Sequence, residues 1–205
     1  MHISFAKNGN WKKLLTTAYT FRCSETPEFT QQDDCIISGV NAEHHEDFDN
    51  ISLLSKEKYS VGLSATLHCS FEDKGCAEII LVPETETCPD GAVRYGACFE
   101  FLIWKNGINV WRHFRDDGRC YWFLRMSAKI PTAQDTVHEL NVKVFDQYVR
   151  IALDDQVTVL QTEDLPEKFH VGITSCEGVV RLYDFKIEEH PSSIAMNILA
   201  GTERD

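Results

Sequence analysis

The sequence predicts an all-β fold of two antiparallel sheets packed as a sandwich, and three observations predict it. Residues 59–71 read Tyr-Ser-Val-Gly-Leu-Ser-Ala-Thr-Leu-His-Cys-Ser-Phe, apolar at every odd position and small or polar at every even one. That period of two is the pattern of a strand with one face on a core. Shorter alternating or apolar runs fill the remaining chain. Between them stand Asp73-Lys74-Gly75, Asn106-Gly107, Asp117-Gly118 and Glu177-Gly178, where glycine supplies the positive φ of a tight hairpin.

Taken in order, the patterns give strands over 19–23, 34–39, 51–54, 59–71, 76–83, 98–105, 108–115, 119–126, 137–146, 148–154, 157–162, 168–175 and 179–188. Successive strands joined by hairpins imply a meander, not parallel units with helical crossovers. One helix is expected, over Ser192–Leu199, with Ser192 or Ser193 as its N-cap. The chain has no repeat, low-complexity tract or Pro/Gly linker that would divide it. Residues 1–190 are therefore expected to form one domain, followed by a tail over 191–205.

Composition narrows the function. The chain has 205 residues, 43% of them hydrophobic, which is enough for a substantial core. A net charge of −12 argues against nucleic acid or an anionic membrane as partner, because both require a positive surface. The N-terminus, Met-His-Ile-Ser-Phe-Ala-Lys-Asn-Gly-Asn-Trp-Lys-Lys, lacks an apolar stretch of signal-peptide length. A cytoplasmic location is the resulting expectation. Of the eight cysteines, Cys69, Cys98, Cys120 and Cys176 fall inside strand patterns, where reduced cysteine acts as a small hydrophobe. No Cys-x-x-Cys occurs, and no His/Cys group has zinc-ligand spacing.

The second half of the chain has a recognisable order. It runs His138-Glu139-Leu140-Asn141-Val142-Lys143-Val144, then Val149-Arg150-Ile151-Ala152-Leu153-Asp154-Asp155-Gln156-Val157. Phe169-His170-Val171-Gly172-Ile173 and Val179-Val180-Arg181-Leu182-Tyr183-Asp184-Phe185-Lys186-Ile187 follow. With Trp11 and the run at 59–71, this resembles the concanavalin-A-like lectin and glucanase superfamily. Gln156 departs from the pattern, since glycine usually stands there. The resemblance implies a jelly-roll sandwich whose concave face binds or cleaves carbohydrate. It also implies that Asp184 stands where some members hold a structural calcium. One carboxylate is a poor calcium signature alone, because calcium takes six to eight oxygens, so the cofactor expectation is none.

Hairpin counting gives a candidate site. A two-residue turn at Asn106-Gly107 pairs Lys105 with Ile108, so Trp104 faces Asn109, Leu102 faces Trp111 and Glu100 faces His113. A second such turn at Asp117-Gly118 sets His113 against Trp122. One face then carries Glu100, Leu102, Trp104, Asn109, Trp111, His113, Trp122 and Leu124. The other carries Phe99, Phe101, Ile103, Val110, Phe114, Tyr121 and Phe123 as core, with Arg112 and Arg125 stranded among them. A three-residue loop over Asp116-Asp117-Gly118 would instead bring Tyr121, Phe123 and Arg125 to the first face. Glu100, Trp104, Asn109, Trp111, His113 and Trp122 are the expected ligand-binding residues. Indoles stack on a sugar's C–H faces, and the polar groups meet its hydroxyls. The competing reading is that these tryptophans are core.

Catalysis is the less favoured expectation. Laminarinase-like members carry Glu-x-Asp-x-x-Glu on one strand, and that motif is absent. Glu100 has no carboxylate two residues away on its strand, and a glycosidase uses two. If the chain is a hydrolase, Glu100 is the acid or nucleophile and its partner comes from another strand. An interaction module with a degenerate sugar site is the remaining alternative. Glu84-Thr85-Glu86 reads as a solvated loop, as does His44-His45-Glu46-Asp47 with Asp49, which otherwise suggests metal.

Strand-embedded cysteines lead to one test. Denatured but unreduced protein should titrate with a thiol reagent for nearly all eight cysteines. A count short by most of them would mean disulfides and an oxidising compartment.

Overall fold

The structure, a computed structural model, describes residues 1–23, 26–38, 51–72 and 74–190. The expected helix at Ser192–Leu199 and the His44–Asp49 cluster lie outside the described residues. In chain order the elements are β1 (His2–Ser4), α1 (Trp11–Leu14), β2 (Leu15–Thr20), β3 (Thr30–Gln31), β4 (Ile36–Ile37), β5 (Ile51–Tyr59) and β6 (Leu63–Glu72). They continue with β7 (Cys76–Val82), β8 (Glu86–Thr87), β9 (Val93–Tyr95), β10 (Cys98–Trp104), β11 (Gly107–Asp116) and β12 (Arg119–Lys129). The last are β13 (His138–Val144), β14 (Tyr148–Leu153), β15 (Gln156–Gln161), β16 (Phe169–Cys176) and β17 (Val179–Glu189). The short elements β1, α1, β3, β8 and β9 are too brief to show a period.

Two sheets form the expected jelly-roll sandwich. One has the order β15-β14-β13-β6-β17-β4-β3, with β1 also on β17, and the other the order β12-β11-β10-β7-β16-β5-β2-β9-β8. All pairs are antiparallel except β2 with β9. The core lies between the sheets. Leu63, Ala65, Leu67, Cys69 and Phe71 of β6 enter it from one side, and Ala77, Ile79, Leu81, Phe99 and Phe101 from the other. The meander holds only within β10-β11-β12 and β13-β14-β15. β3-β4 and β8-β9 are single hairpins, and at several other points the chain crosses between sheets, as from β6 to β7 and from β12 to β13.

That crossing also corrects the longest expected strand. The alternation at 59–71 spans the last residue of β5, a bend over 60–62 and all of β6 but its final residue, and the two strands belong to different sheets. Gly62 turns the chain at φ +89, its N–H bonded to the Val144 carbonyl. An apolar period continues through a sheet-to-sheet bend because residues on both sides of it face the same core.

The hairpin β10-β11 differs from expectation in register. Trp104 pairs with Gly107 and Ile103 with Ile108, so Lys105-Asn106 form the loop. Every partner moves by two positions, which leaves each side chain on its expected face. Glycine is needed inside the ladder here. Gly107 has φ +129, and a Cβ on it would lie 2.1 Å from the Ala128 carbonyl oxygen of β12. The β11-β12 turn is as counted: Asp116 pairs with Arg119 and His113 with Trp122. Asp117 and Gly118 take φ +45 and +74, the two positive values a type I′ turn requires. The three-residue loop is thereby excluded.

The expected core face is corrected at its far end. Tyr121 and Phe123 are exposed, because β12 is the edge of its sheet and runs beyond the core. Arg125 bulges from β12 at the register shift and reaches Asp164 at 2.8 Å. Arg112 is buried between the rings of Phe99 and Phe114, 4.5 Å from each centroid, with Asp164 3.8 Å away. Stacking and pairing at the rim make its place on the core face tolerable.

Gly107→Ala should destabilise the domain by more than about 1 kcal/mol, the cost of forcing a Cβ onto an incompatible backbone. Gly118→Asn should lose less, since asparagine tolerates positive φ and nothing lies within 4 Å of an added Cβ there. Urea unfolding of the two variants makes the comparison.

Candidate functional site

β7 lies near the middle of its sheet and is buried along its whole length. Its odd residues face the sandwich core. Its even residues, Cys76, Glu78, Ile80 and Val82, face away from it. Toward one end, Ile80 and Val82 are covered with Ala18, Leu54 and Cys98 by Tyr95, with Val93 packed against the cluster. Toward the other end the face is left open, and there a cleft of about 200 Å³ forms.

All six expected residues line this cleft: Glu100, Trp104, Asn109, Trp111, His113 and Trp122. β10, β11 and β12 deliver them from one face by alternation. Glu100 and His113 form the floor, 4% and 7% exposed. Trp104 and Trp111 are half-buried and Trp122 is exposed. The Glu100 carboxylate and His113 Nε2 are hydrogen bonded at 2.7 Å, and the Cys98 thiol donates to the other Glu100 oxygen at 3.7 Å. The Asn109 side-chain oxygen is buried and has no hydrogen-bond partner among the described residues.

Several cleft residues were not expected. Glu78 pairs with Leu102 on one side and Thr174 on the other, which sets it diagonally beside Glu100. Such diagonal neighbours have Cα atoms about 7–8 Å apart. Glu78 is only 1% exposed, and one of its carboxyl oxygens has no hydrogen-bond partner among the described residues. Burial first, then the charges of Glu100 and Glu177, push its carboxyl well above the ordinary 4.5, with Arg22 opposing. Arg22 also stacks over the Trp122 ring at 4.5 Å. Burial, followed by Glu100 and Glu78, likewise raises the Cys98 thiol. Behind Glu78, Thr174 leads to Ser52 at 2.9 Å and on to the Tyr95 hydroxyl at 2.7 Å. Cys76 and Cys176 sit opposite each other at the cleft's other end and pack with Leu102 and Trp104.

A sequence signal for Glu78 existed. In Cys76-Ala77-Glu78-Ile79-Ile80-Leu81-Val82 it is the one charge in an apolar run. A run apolar on both faces marks a strand buried on both sides, so its lone carboxylate is buried too. Arg22 follows β2 in an irregular stretch and has no such pattern.

Other acidic candidates lie elsewhere. Asp184 belongs to the eight-stranded sheet, hydrogen bonded to His68 Nδ1 at 2.9 Å, with Glu139 on the other ring nitrogen at 3.2 Å. Glu84 pairs with Lys58 and Glu86 with Arg115, both as exposed carboxylates. The eight cysteines form no disulfide, and six are buried. No helix among the described residues is long and apolar enough to cross a membrane.

No family profile and no curated protein matches the sequence. Solved structures do match. Carbohydrate-binding module CBM66 from Bacillus subtilis superposes with a TM-score of 0.61 at 9% identity, covering 86% of this chain and 97% of that one. A galectin-like protein of unknown function from Bacillus subtilis gives 0.64 at 11% identity, covering 92% and 94%. The β-glucanase of Bacillus licheniformis gives 0.58 at 12%, covering 93% and 98%. At such identities the likeness is one of fold. The protein shares their fold, a two-sheet jelly-roll sandwich, and carries an acidic, tryptophan-walled cleft on one sheet.

Glu78 provides a pH test. Its raised pKa means that above pH 4.5 the folded chain holds a proton the unfolded chain releases. Its contribution is favourable below 4.5 and is lost as pH rises through the folded value. In Glu78→Gln that loss should vanish, so the variant gains on wild type as pH increases. Urea unfolding across a pH series reads this out, and parallel curves would refute it.

Proposed function

We propose that the cleft binds carbohydrate. One observation carries the reading: three indoles surround a floor on which two buried acceptor oxygens, from Glu78 and Asn109, have no partner among the described residues. A sugar offers C–H faces for the indoles and O–H donors for those oxygens. Trp104, Trp111 and Trp122 are assigned to stacking. Glu100, Asn109 and His113 are assigned to hydroxyl recognition, with Glu78 beside them. The volume is below the ~300–1,000 Å³ usual for drug-sized ligands, which suits one terminal ring better than a length of polysaccharide. Structural neighbours described as carbohydrate-binding and legume lectin-like support the class of ligand. The free thiols support a reducing, cytoplasmic compartment.

Glu78 favours a second reading, hydrolysis. It supplies the second carboxyl that the strand of Glu100 lacks. Glu78, kept protonated by burial, would give its proton to the leaving oxygen. Glu100 would act as nucleophile, or as base through a water.

Trp111→Ala should weaken binding of a glycan found on an array by about 2 kcal/mol, roughly thirtyfold. Its stability loss should stay below the ~3–5 kcal/mol of a core aromatic. An unfolded variant, with no glycan bound by wild type, would make these tryptophans core. Turnover of a bound glycan, abolished by Glu78→Gln or Glu100→Gln with binding retained, would establish the hydrolase.

A further inference from the structure

We propose that Cys98, Glu100 and His113 form a three-ligand site for a divalent transition metal, with zinc(II) best matching the donors, and with a fourth position left for a ligand from the cleft. The β10-β11 register builds the site. Cys98 lies directly opposite His113, and Glu100 is two residues along on the same face. The three donor atoms all lie within 4.8 Å of one another, and all three residues are buried.

The distances suit a tetrahedral ion. Zinc–sulfur bonds of about 2.3 Å and zinc–oxygen bonds of about 2.1 Å set sulfur and oxygen about 3.6 Å apart. The Cys98 sulfur and Glu100 oxygen stand at 3.7 Å. The His113 nitrogen stands 2.7 Å from the second Glu100 oxygen, so a turn of the carboxylate and a separation of about 0.7 Å bring imidazole and one carboxylate oxygen to the ~3.4 Å of a shared ion. The thiol releases one proton, the proton shared by His113 Nε2 and Glu100 passes to His113 Nδ1 or to solvent, and the hydrogen bond between imidazole and carboxylate is thereby exchanged for two metal bonds. A thiolate, an imidazole and a carboxylate select zinc over calcium or magnesium, which prefer oxygen alone.

Charge makes the same case. Glu78 stands diagonally beside Glu100 within the cleft, with one oxygen unpartnered among the described residues. Two buried carboxyls line the floor and the Cys98 thiol adjoins Glu100 beneath it, against His113 and Arg22. A dication would offset that concentration of acid groups. The ligand set escapes spacing motifs because it joins an i, i+2 pair to a residue across a hairpin.

The inference goes beyond the carbohydrate reading and holds or fails whether or not a glycan binds. It also opposes the two-carboxylate reading, since a Glu100 bound to metal is not a free nucleophile.

Cobalt(II) is the probe. Metal-free protein, prepared with a chelator, should take up one equivalent and show tetrahedral visible bands with a thiolate charge-transfer band, and zinc(II) should erase them. Cys98→Ser should abolish the charge-transfer band. Zinc affinity of this variant, measured against a chromophoric chelator, should fall by more than the roughly 100-fold that outer contacts alone account for. Glu100→Gln, nearly isosteric, should also lose stoichiometric binding, and decides the matter if Cys98→Ser does not fold. Cys76→Ser and Cys176→Ser should leave the band intact. Absence of stoichiometric cobalt, or a band that survives in Cys98→Ser and disappears in Cys76→Ser, would overturn the proposal.

Discussion

The burial of two carboxyl groups at the centre of one sheet is the constraint on which the cleft depends. Glu78 and Glu100 are 1% and 4% exposed on adjacent strands. An isolated carboxylate in such a place is too costly to remain charged and unpaired. The chain answers in two ways. Glu100 keeps His113 at hydrogen-bonding distance, and Glu78 is driven toward its neutral form. The surroundings follow from that choice. Tryptophans wall the floor from solvent, Arg22 approaches from the rim, and the Thr174–Ser52–Tyr95 chain keeps the adjoining polar groups satisfied. An apolar pair of the same size would stabilise the sheet better. Retention of two acids there points to chemistry with a ligand or an ion.

The cleft exists because the second layer over this sheet stops short. Strand β9 pairs in parallel with β2 and brings Tyr95 and Val93 down over Ile80, Val82 and Leu54. It does not extend to Glu78, one pleat further along β7. A single strand thus has three environments: the sandwich core, a small apolar cluster under β9, and an acidic floor.

Face was legible in the sequence where register was not, and the difference is physical. Side chains alternate with a period of two, so the two-residue slip between the counted and observed β10-β11 pairing changed partners without changing sides. All six expected residues therefore reached one cleft although none of the four counted cross-strand pairs in that hairpin is formed. The same averaging misled at 59–71, where a core-facing pattern ran unbroken through the bend at Gly62. Glu78 went unnoticed for a related reason. Alternation identifies one-sided strands, whereas β7 is covered on both sides, and only the oddity of a charge in an apolar run marks it. Arg22 is placed by tertiary contacts of an irregular segment, which no local period encodes.

Forming one wall of the cleft from β12 has its own consequence. Tyr121, Trp122, Phe123 and Leu124 are exposed in succession on the sheet's last strand. A flat apolar edge of this kind is a template for pairing with another chain. Several features oppose it. The bulge at Arg125 breaks the regular ladder, and Arg125 is tied to Asp164 across the edge. Arg119 and Lys129 set charges at both ends of the strand. Phe123 turns an edge contact toward Phe114, and Trp122 is held under the Arg22 guanidinium. The aromatic residues that the cleft requires are thus the ones that charge, bulge and stacking must protect. Shortening β12 would remove the exposed edge, but it would also remove Trp122, the indole that closes the cleft on the side away from Glu78.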